Sequence, residues 1–491
     1  MPWRGVKSLL YYCKMRTTKR LGCKPIELLF CGLSLIFGMY FVFATPLFWG
    51  IDESTHFLRA YQLSQGGITA QREEQNYGGS FPANLVALRI EVGKDLTAAL
   101  PTPTNIFERH DFDNNAAYHA LATQPLSAKK TFVELGSGEV YSPLSYVPAI
   151  VALKTIAWAH PSIQTLVYAA RIASLIAYIA VVVMALRTLM FSRLRWLVFC
   201  VALLPMTLYQ ASILSADTGL NALCLLAFAL IARGLLKREP LARWQLVMLC
   251  VAAIQIPLIK INYLPVSIAL LLLPQTAYRR ITQKIPAWLL RTLLLLAVLV
   301  SAGVWLYSTR HLSNSLGQQA TNPPISASGQ LHFMASHPLS YLKTLARDSI
   351  ANETAYLTQT VGYLGWNYVT LPLISIIASY TLLLSAGLYK DNSEEGATTK
   401  WQGGGSLLLG GLLVVGVLTA FYVTFSGQRA AYISGVQGRY FIPALAFIFY
   451  GIGRLLPIRM SMDEKQAIWV FGVANALCLF VAALYVHLAI Y

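Results

Sequence analysis

Two strings in this chain bring together residue types that move protons and hold anions. The first, W-G-I-D-E-S-T-H-F-L-R-A-Y (49–61), sets Asp52 and Glu53 side by side directly after a long apolar run. A carboxylate half removed from water holds its proton more tightly, which suits it to take a proton from a bound hydroxyl. If Ser54 caps a helix, His56 and Arg59 lie three residues apart on one face of it. The same string would serve equally as a polar helix start facing water. The second, G-V-Q-G-R-Y-F-I-P (435–443), places Arg439 and Tyr440 at the entry to another apolar run. The planar guanidinium fork matches a phosphate bidentately, and the flanking glycines permit close backbone approach. The plainer use of such an arginine is to snorkel at a membrane boundary.

Three further positions carry charge where charge is costly. S-A-D (215–217) puts Asp217 at a turn between two apolar runs, where an acid is also a natural helix cap. Lys260, with Asn262 and Tyr263, interrupts an apolar hairpin, either to neutralise a lipid phosphate or as an interfacial anchor. Arg171 falls a few residues into an apolar run, so it is expected to pair with an acid or a ligand. Tyr141, Tyr146 and Trp366 read as anchors of interfacial helices. The other histidines, including His110, His119 and His160, show no metal-ligand spacing, and the seven cysteines form neither a disulfide framework nor a zinc pattern.

The elements that must position these residues are apolar helices. Of 491 residues, 56% are hydrophobic and 12% charged, against about a quarter charged in an ordinary soluble protein. A bilayer is therefore the solvent for most of the chain. The net charge of +17 lies in short clusters between apolar runs, which excludes a nucleic-acid-binding stripe and follows the rule for cytoplasmic loops. Seven basic residues and no acid precede the first run, so the arm 1–25 is expected in the cytoplasm and the run 26–49 to cross outward, with Trp49 at the outer interface. The segment 50–164, with eleven acidic and eight basic residues, is too long for a turn and reads as an outer loop with juxtamembrane helices, one of them near 141–160. Spans two to seven follow over 165–307, and a second outer loop occupies 308–368. Spans eight to eleven follow over 369–491, giving roughly eleven in all by length and hydropathy. The region 244–274, interrupted by Pro257, Lys260 and Pro265, reads as two short helices meeting at Lys260. The stretch 391–405 reads as a flexible cytoplasmic loop.

This topology brings Asp52, Glu53, Asp217, Lys260 and Arg439 to one membrane face although they span almost the whole sequence. Together they suit a reaction between a lipid-borne phosphate ester and a hydroxyl acceptor, with the cations holding the leaving phosphate.

The chain also resembles a family of uncharacterised bacterial membrane proteins within the GT-C glycosyltransferase superfamily. The resemblance rests on the string at 49–61, Y-S-P-L-S-Y-V-P (141–148), L-P-M-T (204–207) with S-A-D, K-I-N-Y (260–263), and the string at 435–443. It implies an all-α, GT-C-like multispanning bundle in a bacterial inner membrane, with a catalytic acid in the first outer loop and a polyprenyl-phosphate-linked sugar as donor. Asp52 resembles that acid and Glu53 its neighbour. His56, Arg59, Arg171, Asp217, Lys260, Tyr263, Arg439 and Tyr440 would contact substrate. The acceptor would be a cell-envelope glycan or lipid. No cofactor is expected, and a divalent metal at Asp52, Glu53 and Asp217 is not favoured. The rival readings are a transporter of lipid-linked sugar and a lipid-linked glycan polymerase or ligase.

Overall fold

A computed structural model describes residues 24–73, 76–99, 115–237, 239–282, 285–316, 324–366, 368–389, 400–458 and 460–491. Most of the basic arm, Cys13, Cys23, His110, Arg238, Lys284 and most of the 391–405 loop lie outside these residues.

The first run forms α1 (Pro25–Ala44), started by a proline at its first turn, where the missing N–H costs nothing. The helix stops five residues short of the end of the apolar run, at Thr45-Pro46. Trp49 is buried, 1% exposed, with its ring edge-on to Tyr368, so it is a core residue of the turn and not an interfacial anchor. After that turn come α2 (Glu53–Ser64), strands β1 (Gln71–Glu73) and β2 (Asn76–Pro82), helices α3 (Ala83–Ala99) and α4 (Ala116–Ala122), and strand β3 (Lys130–Glu134). The three strands form an antiparallel sheet in the order β1-β2-β3, with Gly79 opposite Val133. An all-α reading had no place for this sheet. Its strands are short, the middle one carries Gly78 and Gly79, and they lack the alternating apolar residues by which a strand is recognised.

Two 3-10 turns, Gly136–Val140 and Pro143–Tyr146, lead into α5 (Val147–Ile156), whose exposed Val147 and Val151 suit a helix lying at an interface. The bundle proper follows. Helix α6 (Ile163–Thr188) is capped by Ser162, whose Oγ accepts from the Thr165 N–H. One of the spans expected within 165–307 divides at Pro205 into α7 (Arg195–Ala202) and α8 (Pro205–Ser212), because proline cannot continue the hydrogen-bond ladder. Helix α9 (Ala216–Leu236) is apolar on all sides and buried along most of its length, which makes it the central helix.

Helix α10 (Arg243–Ile259) and helix α11 (Leu264–Leu271) meet at Lys260 through the 3-10 turn Ile261–Tyr263, the two-helix arrangement expected there. Next are α12 (Gln275–Thr282) and α13 (Ala287–Leu316). The exposed Leu293, Leu296, Val300 and Val304 of α13 form an unpaired apolar face of the kind that meets lipid. The second loop holds α14 (Ala327–Ser336), α15 (Pro338–Ala351) and α16 (Glu353–Gly362), then the hairpin β4 (Tyr363–Leu364) and β5 (Val369–Thr370). Helices α17 (Leu373–Leu388), α18 (Lys400–Thr424), α19 (Ile442–Leu455) and α20 (Glu464–Ile490) close the chain. An Asp463–Gln466 capping box starts α20.

Among the described residues, six helices are long and apolar enough to cross a membrane: α1, α6, α9, α13 within 287–310, α18 and α20. Four shorter apolar segments, Pro143–Ala159, Arg243–Ile259, Ile261–Leu271 and Leu373–Leu388, accompany them.

Candidate functional site

Helices α2, α9, α11 and α19 all begin at one end of the bundle, and their first residues, or those just before them, converge there. The Arg439 Nη2 donates to Asp52 Oδ2 at 2.7 Å and to the Tyr440 hydroxyl at 2.9 Å. The Lys260 ammonium donates to Asp217 Oδ1 at 2.5 Å and lies 4.2 Å from the centre of the Tyr440 ring, a cation–π contact. Each cation also feels the other pair's carboxylate, since Arg439 interacts with Asp217 and Lys260 with Asp52. The set is a cluster of two balanced ion pairs.

Local structure aims each member. Ser215, not Asp217, caps α9, its Oγ accepting from the Asp217 N–H, and this leaves the Asp217 carboxylate free to meet Lys260. Asp52, not Ser54, is the residue at the N-cap of α2. It sits in the left-handed region with φ 58°, a conformation that aspartate adopts more readily than most residues, and makes no capping bond. Its side chain is 42% exposed, whereas that of Arg439 is 2% exposed. Tyr263 is buried and donates its hydroxyl to the Tyr440 carbonyl, so it props the Arg439 turn from below.

Arg439 is the least satisfied group of the cluster. Its Nε and Nη1 are buried and have no hydrogen-bond partner, although a guanidinium carries five N–H donors. Burying such donors unpaired is costly, and an anion entering the cluster would satisfy them.

His56 completes one wall. Its Nδ1 lies 2.7 Å from the Tyr146 hydroxyl, and its ring is 5.2 Å from that of Tyr141. Burial, the largest influence, pushes the imidazole down to about 4, against the opposing pull of Asp52 and Asp217, so His56 is neutral at neutral pH. Tyr146 is fully buried, and Tyr141 packs between His56 and Lys260. Reading these two tyrosines as interfacial anchors was therefore incorrect. Pro143 opens the 3-10 turn that carries Tyr146, and the Y-x-x-x-x-Y spacing within a proline-bearing string was the available signal.

Three residues expected at the site belong to its scaffold. Glu53 and Arg171 form a fully buried bidentate pair, with Nε on Oε1 and Nη2 on Oε2, both at 2.6 Å. The remaining Arg171 donors go to the carbonyls of Val42, Thr45 and Pro46. Glu53 in turn accepts from the Phe48 and Leu214 N–H groups. All five guanidinium donors and both carboxylate oxygens are engaged, so neither residue has capacity left for a substrate. This network also holds Phe48, whose φ of 66° is strained for an aromatic residue, and so fixes the turn that presents Asp52. Arg59 is buried and donates to Gln62 Oε1 and the Ile68 carbonyl, bracing the first loop. Gln62 continues to Glu139, whose carboxyl burial pushes up to about 7. Among the described residues, no three His, Cys, Asp or Glu side chains gather as a metal ion would require.

Fold and cluster together define a helical integral membrane protein that carries a buried, charged, loop-covered site at one end of its bundle. Over residues 35–448 the chain matches the family described as "Predicted membrane protein (DUF2142)", and it belongs to that family. No curated protein and no solved structure matches it.

Proposed function

We propose that this protein is a membrane glycosyltransferase of GT-C type that transfers a sugar from a polyprenyl-phosphate-linked donor to a cell-envelope glycan or lipid acceptor. In this reading about eleven spans cross a bacterial inner membrane, the N-terminus is cytoplasmic, and the cluster faces outward. The observation that carries the proposal is Arg439: a buried guanidinium with two unpartnered nitrogens, beside a second cation and a partly exposed carboxylate. Two cations within one small space suit a phosphate, whose charge grows as it departs.

The acceptor hydroxyl gives its proton to the Asp52 carboxylate, and its oxygen attacks the anomeric carbon. The bond from that carbon to the phosphate oxygen breaks, and polyprenyl phosphate leaves with the electron pair, held by Arg439 and Lys260. Engagement of the phosphate by Arg439 loosens the Asp52–Arg439 pair and frees the carboxylate to act as the base. Asp217 keeps Lys260 in place, and neutral His56 adds no third charge for the phosphate to meet.

The test is reconstitution in liposomes with radiolabelled polyprenyl-phosphate sugar and envelope acceptor. Label transferred to the acceptor is expected. Passage of intact lipid-linked sugar across the bilayer with no labelled product would replace the transferase with a transporter.

A further inference from the structure

Arg439 is set in place less by its own side chain than by the backbone that carries it. Arg171 is fixed through all five of its donors, whereas among the described residues the Arg439 guanidinium bonds only to Asp52 and to the Tyr440 hydroxyl. Where it points therefore depends on the 3-10 turn Gly438–Phe441, and the second loop holds that turn.

Helix α16 grips Gly438 from both sides. Gln359 Oε1 accepts from the Gly438 N–H at 2.9 Å, and the Thr360 hydroxyl donates to the Gly438 carbonyl at 2.9 Å. A Cβ at 438 would overlap the Tyr356 carbonyl and crowd the Thr360 nitrogen, so only glycine lets the turn lie this close to the helix. Tyr356 supports the contact, its ring edge-on to Phe441 at 5.4 Å and its hydroxyl donating to Asp348 Oδ2 at 2.6 Å. Asp348 is fully buried, and its Oδ1 accepts from the Ile433 N–H at 2.9 Å. The chain over 433–438 is thus tied to α15 at one end and to α16 at the other.

We propose that Gln359 and Thr360 are positioning residues for Arg439, clamping Gly438 so that the guanidinium stays on Asp52 with its open donors turned to an incoming anion. The anion end rests on the transferase reading; the clamp rests on the contacts of α16. Two neighbouring polar side chains are spent on the two polar groups of a single residue, the one before the cation. Without them the turn could shift, and Arg439 would be free to swing to Asp217, whose charge already reaches it. The two carboxylate–cation pairs would then no longer be separate. The joint between Glu53 and Arg171 sets the Asp52 side of the cluster, and the clamp from the second loop sets the Arg439 side.

Thr360→Val keeps the side-chain shape and removes the donor, and Thr360→Ser restores it. Gln359→Met removes the acceptor on the other side and serves if Thr360→Val does not fold. Two quantities are measured on the full-length protein in nanodiscs. One is the affinity for inorganic phosphate, followed by phosphorus NMR. The other is the coupling between Asp52 and Arg439 in unfolding temperature, from a double-mutant cycle of Asp52→Asn and Arg439→Gln.

Thr360→Val is expected to unfold close to wild type and to weaken phosphate about three- to tenfold, the range one neutral hydrogen bond spans, with Thr360→Ser recovering the affinity. The Asp52–Arg439 coupling should shrink in the Thr360→Val background and persist in Thr360→Ser. A coupling that is unchanged in a folded Thr360→Val or Gln359→Met protein overturns the proposal, even if phosphate weakens, because the side chain would then act by another route than Arg439. If the coupling shrinks and phosphate affinity is unchanged, or wild type binds no phosphate, the phosphate assignment of the transferase reading fails and the clamp stands.

Discussion

Asp52 and Glu53 are adjacent in sequence, each paired with an arginine, and yet they belong to different parts of the molecule. Glu53 and Arg171 sit where every donor and acceptor has a partner and no solvent reaches. Asp52 meets Arg439 where the carboxylate is partly exposed and two guanidinium nitrogens are left over. Identical chemistry yields a fixed joint in one place and an incompletely satisfied cluster in the other. The difference is hydrogen-bond saturation: a complete network can only hold its shape, whereas an incomplete one leaves donors open to a further partner.

The contrast can be broken most severely at the joint. Arg171→Met should strand the Glu53 carboxylate and cost about 3–5 kcal/mol, read as a large fall in unfolding temperature or failure to accumulate. If the variant is as stable as wild type, the joint does not bear the fold. At the neighbouring position the effect should move from stability to activity. Asp52→Asn is expected to unfold close to wild type and to lose about 10²- to 10⁴-fold in transfer rate. Undiminished transfer would remove Asp52 from its role as base. Arg439→Lys keeps the charge but loses the fork, and should weaken phosphate binding by about 1.5–3 kcal/mol, measured by titration.

The last contrast concerns pH. His56 has its imidazole lowered from 6.5 to about 4 by burial, so its contribution to stability is complete above 6.5 and is lost as pH falls through 4. Glu139 has the opposite sign. Raised from 4.5 to about 7, it contributes fully below 4.5, and that contribution is lost as pH rises through 7. Unfolding temperature followed against pH should therefore lose its acid-side slope in His56→Gln and its alkaline-side slope in Glu139→Gln. Parallel curves for wild type and both variants would mean that neither group titrates as its surroundings require.

Much of the bundle was legible in the sequence because hydropathy is a local property. Long apolar runs identify α1, α6, α9, α13, α18 and α20 within a window of about twenty residues. Lys260 marks the meeting of two short helices, whereas the break at Pro205 within an apolar run appears only in the structure. The charges Asp52, Asp217, Lys260 and Arg439 could be singled out for the same reason: an ionic side chain next to hydrocarbon is conspicuous.

What the sequence by itself determined, then, is a helical membrane protein together with a short list of charges that such a protein would carry only for a purpose. Tertiary structure alone decided which of them form the site. Arg171 lies 118 residues from Glu53, Arg439 lies 387 residues from Asp52, and Tyr146 lies 90 residues from His56. Whether a charged group is saturated or left wanting depends on partners at such separations, and no local pattern records them.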